Sequence, residues 1–392
     1  MNQAKTLPTS DIATAFDFQP LTRVVFGAGS LSRLGELARE LGGRRILLVT
    51  DPGLEAAGHP QRAVAALGAA GLEVMVFDGV EENPTTRHVD AGLEVAAANG
   101  VDFLVAVGGG SAMDCAKGIN FLLTNGGRMQ DYWGSGKAAK PMLPAIGVPT
   151  TAGTGSEAQS FALIADPESH MKMACGDKKA AFHATILDPE LTITQPPRVT
   201  ALTGIDAISH AVESYVTTKA NALSRMFARE AWRLLEANYT AVLREPENLP
   251  ARAAMQLGAH LAGRAIENSM LGATHALANP LTAHYGLAHG LAIGLMLPHV
   301  VRFNGAVCGA WYADLLGTGS NGQAGRGAED LAARIEELAA AAGLPKRLAA
   351  DCGVNRAILP VLADEAAEQW TGKFNPRPVG HEELLQLYEA AF

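Results

Sequence analysis

The sequence predicts an α/β domain built on a parallel sheet over residues 1–195, followed by an all-α domain over 196–392. Two observations carry this. In the first half, short and wholly apolar runs alternate with helical patterns, which marks a parallel sheet covered on both faces. After a Pro-rich hinge at about 188–200, DPELTITQPPRVTA, Ala- and Leu-rich helical periodicity replaces β-branched runs.

The elements follow in order. VVF (24–26) precedes the helix SLSRLGELARELG, and RILLVT (45–50) precedes a helix through AVAALGAAG. LEVMVF (72–77) leads into TTRHVDAGLEVAAANG, and DFLVAVGGG (102–110) into SAMDCAKGINFLL. PAIGVP (144–149) ends at a Thr/Gly-rich loop. Parallel sheets bind ligands at the carboxyl ends of their strands, where TDPG, DGVEENP, GGGSAMD and PTTAGTGSE lie. GQAGRGA (322–328) reads as an exposed loop between helices.

Bulk properties exclude several classes. Of the 392 residues, 48% are hydrophobic and 18% charged, so the chain can bury large cores and is not disordered. A net charge of −9 without a basic run offers no footprint for nucleic acid. Cys115, Cys175, Cys308 and Cys352 form no C-x-x-C, so neither a disulfide framework nor a thiolate metal site is expected. Cys115 falls inside a predicted helix and reads as a small buried hydrophobe. The first twenty residues contain no signal-length apolar core. The apolar run LAIGLMLPHVV is short and broken at Pro298 and His299, so no membrane span and a cytoplasmic location are expected.

One carboxylate and three imidazoles carry the strongest chemical signal. Asp206 and His210 sit four apart in TGIDAISHAVESYV, which reads as an amphipathic helix with both side chains on one face. About 65 residues on, His275 and His289 bracket HALANPLTAHYGLAH. Together the four can close around a divalent metal, and this donor set suits Fe(II) or Zn(II). The competing reading is a scatter of satisfied core histidines.

Gly108, Gly109, Gly110 and Ser111 end a strand and open a helix. Glycine lets the backbone approach an anion, and the helix start offers unpaired N–H groups, so a pyrophosphate is the natural occupant. GGGS is not the full G-x-G-x-x-G pattern, and a plain tight turn would look the same. The hydroxyl-rich Pro149–Glu157 loop supplies a second anchor. Asp51, after the strand RILLVT, stands where an acidic residue bonds an adenosine ribose, favouring NAD over NADP, although Asp51-Pro52-Gly53 is also an apt turn.

FGAGSL (26–31), VTD (49–51), DGVEENPT (78–85), GGGSAMDCAK (108–117), PTTAGTGSE (149–157), ILDPELT (186–192), TGIDAISHAVE (203–213) and LPHVVRFN (297–304) resemble motifs of the iron-dependent (group III) alcohol dehydrogenase family. They run in the family's order over nearly the whole chain, and the C-terminal NPRPVGHEELLQLYEAAF fits as well. The resemblance implies a Rossmann-like dinucleotide-binding domain joined to a helical one, in a dehydroquinate synthase-like architecture. It implies metal ligands Asp206, His210, His275 and His289. It implies an NAD site lined by Asp51, Asn83, Gly109, Gly110, Ser111, Ala112, Met113, Asp114, Thr150, Thr151, Leu163, Lys172 and Leu191. The implied activity is reversible hydride transfer between NAD and a small primary alcohol or its aldehyde, in a homo-oligomer. One position departs from the family: Asn279 stands four residues after His275, where a second histidine is usual. Asparagine positions a substrate or nicotinamide group but relays no proton. His284 is a candidate substitute, although its helical phase points it elsewhere.

Three other readings share these residues. Glycerol dehydrogenases and dehydroquinate synthases use similar architecture, but the latter need a basic cluster that the helical half lacks around its ligand motifs. A metal- or nucleotide-binding protein without turnover rests on Asn279 alone.

Overall fold

The computed structural model describes residues 15–168, 171–317 and 326–392. The chain divides into two compact units, Gln19–Gln195 and Pro196–Phe392, and the second also claims Phe18. This corrects the expected 1–195 boundary at its start. The Phe18 ring lies 6.2 Å from that of Phe227, with the Arg264 guanidinium over its face, so ring contacts tie Phe18 to the helical unit.

The first unit runs β1 (Arg23–Phe26), α1 (Leu34–Glu40), β2 (Arg45–Val49), α2 (His59–Ala69), β3 (Glu73–Phe77), α3 (Thr86–Ala98), β4 (Phe103–Gly108), α4 (Gly110–Asn125), β5 (Gly134–Ser135), β6 (Ala145–Pro149), β7 (Phe161–Ala165), β8 (Lys172–Gly176) and β9 (Ala184–Leu187). Six strands form a fully parallel sheet in the order β1-β9-β6-β4-β2-β3. Successive side chains leave opposite faces of a strand. Accordingly Ile46, Leu48, Val105 and Val107 enter one core, and Leu47, Val49, Leu104 and Ala106 the other. Burial on both faces explains why these strands read as unbroken apolar runs. Two features have no counterpart in the sequence reading: β9, and a small sheet β5-β8-β7 whose β7–β8 pair is antiparallel. Strands β7, β8 and β9 follow the Thr/Gly-rich loop and the two-residue β5 precedes β6, and no alternation announces any of them.

The second unit is helical throughout its described residues: α5 (Pro197–Val216), α6 (Ala222–Arg244), α7 (Leu249–Glu267), α8 (Ala273–Tyr285), α9 (His289–Leu315), α10 (Gly327–Ala341), α11 (Leu348–Cys352), α12 (Leu359–Glu368) and α13 (His381–Ala391). Three sequence expectations are revised here. The Pro-rich hinge ends sooner than 200, because Pro197 opens α5, where its missing N–H is harmless. The loop expected at 322–328 stops at Arg326, since Gly327 is buried at the start of α10; residues 322–325 lie outside the described residues. The third concerns α5, which is not amphipathic: Gly204–Val216 is buried without a break, packed among α6, α7 and α9.

Helix α9 also overrides its local signal. Pro298 removes one backbone hydrogen bond without ending the helix, which runs for 27 residues. Among the described residues it alone is long and apolar enough to cross a membrane. Most of that stretch is buried inside the protein, against α5, α8 and α10.

Candidate active site

Three helices supply the imidazole and carboxylate cluster. Asp206 and His210 lie one turn apart on α5, His275 is the third residue of α8, and His289 is the first of α9. The Nε2 atoms of His210, His275 and His289 converge on one atom, Asp206 Oδ1, at 3.4, 3.7 and 3.7 Å. Asp206, His210 and His275 are buried, and their ligand-type atoms lie within 4.8 Å of one another. His289 closes the remaining side and is the most accessible, with 31% of its side chain exposed. Bonds of about 2.1 Å to a tetrahedral ion would hold ligand atoms about 3.4 Å apart, close to this spacing. Asp206 Oδ1 and His275 Nε2 are buried and make no hydrogen bond, so the donor atoms suit a cation at their centre.

Glu213, two turns past Asp206 on α5, completes the cluster from behind. Its Oε2 lies 2.5 Å from His275 Nδ1, and its Oε1 accepts from the Thr274 N–H at 2.7 Å. Glu213 ends the TGIDAISHAVE motif, where local spacing assigns it no role. The available signal was a third polar residue in phase with Asp206 and His210 on a buried helix.

The electrostatics agree with the geometry. Burial opposes ionisation of Asp206, yet His210, His275 and His289 hold it well below the usual carboxylate range. Burial likewise opposes Glu213, but His275 and the Thr274 N–H keep it low. At His275 burial favours the neutral ring, but Asp206 and Glu213 outweigh this and raise its pKa to about 9. Both buried carboxylates thus stay ionised beside the imidazoles.

Of the expected dinucleotide residues, Asp51, Gly109, Gly110, Ser111, Thr150 and Thr151 lie at the carboxyl ends of β2, β4 and β6, where the strand order reverses direction. A methyl group on Gly108 would lie 2.7 Å from Ala112 Cβ and 3.3 Å from Asp51 Oδ2. One on Gly110 would meet Thr154 at 2.8 Å, and one on Gly109 would touch Thr151 at 3.5 Å. The three loops thus form a cradle that side chains would fill, with the start of the 16-residue α4 opening into it. Thr150 is buried beside it, its N–H bonded to Gly108 O at 2.9 Å. Burial raises the Asp51 pKa, against the N–H groups of Gly53 and Leu54.

Other candidate residues play varied parts. Ala112 and Met113 are core residues of α4. Asp114 is buried and accepts from Ser156 Oγ at 2.5 Å, close to the buried Lys117 ammonium. It also takes the Leu163 N–H and feels the Lys172 charge, which brings these three together. Asn83 adopts a left-handed conformation, φ 56°, in the loop after β3. The Leu191 side chain lies wholly in the core with Val25 and Leu31. The turn capped by Asp188 folds it inward and leaves only its main chain for a ligand. Asn279 is half-buried and donates to Gln369 Oε1 at 2.9 Å. His284 is not a substitute, since it sits at the surface with both Glu365 carboxylate oxygens 2.9 Å away. Nine residues past His275 is roughly half a turn out of phase.

Family comparison accounts for nearly the whole chain. Residues 21–189 match the iron-containing alcohol dehydrogenase model, and residues 200–392 match the model for the C-terminal part of the same family. The 1,3-propanediol dehydrogenase of Citrobacter freundii is 36% identical over 383 residues, covering 96% of this chain and 99% of that protein. A solved 1,3-propanediol oxidoreductase superposes with a TM-score of 0.93 at 36% identity, covering 97% of this chain and all of the other. Sulfoacetaldehyde reductase from Bifidobacterium kashiwanohense, solved with NAD+, gives a TM-score of 0.86 at 27% identity over 96% of this chain and 99% of its own. With the donor cluster and the glycine cradle both in place, the chain belongs to the iron-containing alcohol dehydrogenase family and is an NAD- and metal-dependent oxidoreductase of alcohols and aldehydes.

Proposed function

We propose that Asp206, His210, His275 and His289 hold one divalent metal, Fe(II) before Zn(II), in an enzyme that interconverts a small primary alcohol and its aldehyde. The observation that carries this reading is the convergence of three Nε2 atoms on Asp206 Oδ1. Bound there, the metal supplies Lewis-acid polarisation of a substrate oxygen. NAD supplies the hydride acceptor, so alcohol and NAD+ give aldehyde, NADH and a proton. The chain's residues hold and orient. Asp206 contributes a single charge against neutral imidazoles, leaving a divalent site net positive. The Gly108–Gly110 loop and the start of α4 take the pyrophosphate, and Thr150 and Thr151 offer hydroxyls. The Asp51 carboxylate accepts from the ribose and disfavours a 2′-phosphate. Asn279 positions a substrate or nicotinamide group through its amide and has no proton to relay.

The small-alcohol reading is supported by the name of the Citrobacter relative, which acts on a short diol. We further propose a cytoplasmic homo-oligomer. The four unbridged cysteines suit a reducing compartment. Edge strand β1 leaves Val24 and Phe26 exposed, as a strand covered by a second copy would. Elemental analysis of anaerobically purified wild type, His275→Ala and His289→Ala tests the ligand set, together with an NAD-coupled screen of primary alcohols. We expect metal in the wild type, loss from both variants, and NADH from at least one short alcohol. Full metal occupancy in either variant removes that histidine from the site, and a screen without NADH removes the substrate class.

A further inference from the structure

We infer that Glu213 is a positioning residue for the metal site, one carboxylate oxygen fixing the His275 imidazole and the other capping the helix that carries it. The inference rests on the ligand set proposed above. Helix α8 begins at Ala273 after Gly272, which provides no side-chain cap. Its first N–H groups are served from far along the chain: Asn375 Oδ1 accepts from Ala273 at 3.3 Å, and Glu213 Oε1 from Thr274 at 2.7 Å. One residue later, His275 Nδ1 meets Glu213 Oε2 at 2.5 Å. A single buried carboxylate on α5 thus grips both the start of α8 and its ligand.

The chemical consequence is a fixed tautomer. An ionised carboxylate only accepts hydrogen bonds, so in the neutral ring the hydrogen sits on Nδ1 and Nε2 keeps its lone pair. That Nε2 is the atom aimed at Asp206 Oδ1, 3.7 Å away. The carboxylate also makes the ring more basic, hence a stronger donor to a cation. Because Glu213 sits on the same helix as Asp206 and His210, it sets α8 in register with the other two ligands.

Glu213→Gln keeps the shape and removes this control. Its amide oxygen still caps Thr274, but the amide nitrogen then faces Nδ1 as a donor. This selects the ring with its hydrogen on Nε2, the wrong form for binding a metal. Asn375→Ala provides the contrast, since it weakens the cap of α8 and the Asn375–Asn304 amide pair without touching His275.

The test uses the full chain stripped of metal and retitrated with Co(II) against a chromophoric chelator. The Co(II) absorption spectrum and the thermal midpoint of the metal-free protein are also recorded. We expect Co(II) binding about 10- to 100-fold weaker in Glu213→Gln, with an altered spectrum. Asn375→Ala should lower the midpoint yet bind Co(II) within tenfold of wild type. A change under tenfold in Glu213→Gln overturns the inference, as does an equal loss of affinity in Asn375→Ala. His275→Ala run in parallel separates the layers. Wild type that binds no Co(II), or His275→Ala that binds like wild type, removes the proposed ligand set itself.

Discussion

At residue 279 the chain carries an amide whose surroundings define what it can do. Asn279 lies one turn past His275, close to the same face of α8, and gives its amide hydrogen to Gln369. Histidine there would keep a donor for Gln369 and add a group that titrates near pH 6.5. For Asn279→His we expect the thermal midpoint to move by no more than about 4 °C, while the pH profile of kcat/KM gains an ionisation. A large drop in midpoint with an unchanged profile would show that Asn279 is packing alone. Asp51 offers a second test at this scale. Its carboxylate borders the Gly108 turn, where a 2′-phosphate would bring like charge, at a cost of at least about 1 kcal/mol. Asp51→Ser should therefore lower the NAD-to-NADP ratio of kcat/KM by about fivefold or more. A wild-type preference for NADP would contradict the assignment.

At the scale of elements, the cluster depends on how closely α9 starts against α5. Gly290 follows His289, and a methyl group there would lie 2.1 Å from the Leu202 carbonyl oxygen, one turn before Asp206. Backbone cannot step aside as a flexible side chain can, so Gly290→Ala must push the first turn of α9, and His289 with it, away from Asp206. We expect a destabilisation of about 1–3 kcal/mol together with reduced metal content. Gly294→Ala, one turn on, meets the end of Leu344 at 3.1 Å and Ile205 at an ordinary 3.5 Å, and should retain both properties. Wild-type midpoint and metal content in Gly290→Ala would show that the contact is soft. Helix-scale signals were also where the sequence misled. The burial of α5 on every side and the passage of α9 through Pro298 come from the neighbours that enclose them. Periodicity reports one buried face, and Pro reports local cost, so neither registers enclosure.

At the scale of the molecule, the α/β unit carries a built-in sensitivity to acid. His59 opens α2 almost fully buried, its Nε2 2.7 Å from Thr194 Oγ1. Burial, and then the Arg62 charge, hold its pKa below the ordinary 6.5. In the unfolded chain the ring protonates at its ordinary value, so below about pH 6.5 the unfolded state binds more protons than the folded one. The stability associated with neutral His59 is complete above that pH and is lost as pH falls through it. We expect the wild-type midpoint to fall more between pH 7 and pH 5 than that of His59→Gln. Equal slopes for the two proteins would exclude His59 as a source of the acid loss.

Much of this protein follows from its sequence alone. The parallel strands are legible because burial on both faces demands unbroken apolar runs, and Asp206 and His210 because one helical turn puts them side by side. The glycine turn after β4 is legible because only a residue without a side chain fits there. Tertiary structure decided the rest. It brought His275 and His289 to Asp206 from other helices, gave Glu213 its hold on His275, turned Leu191 into the core and paired His284 with Glu365. Such contacts join residues tens of positions apart, and local spacing carries no information about which helices will pack together.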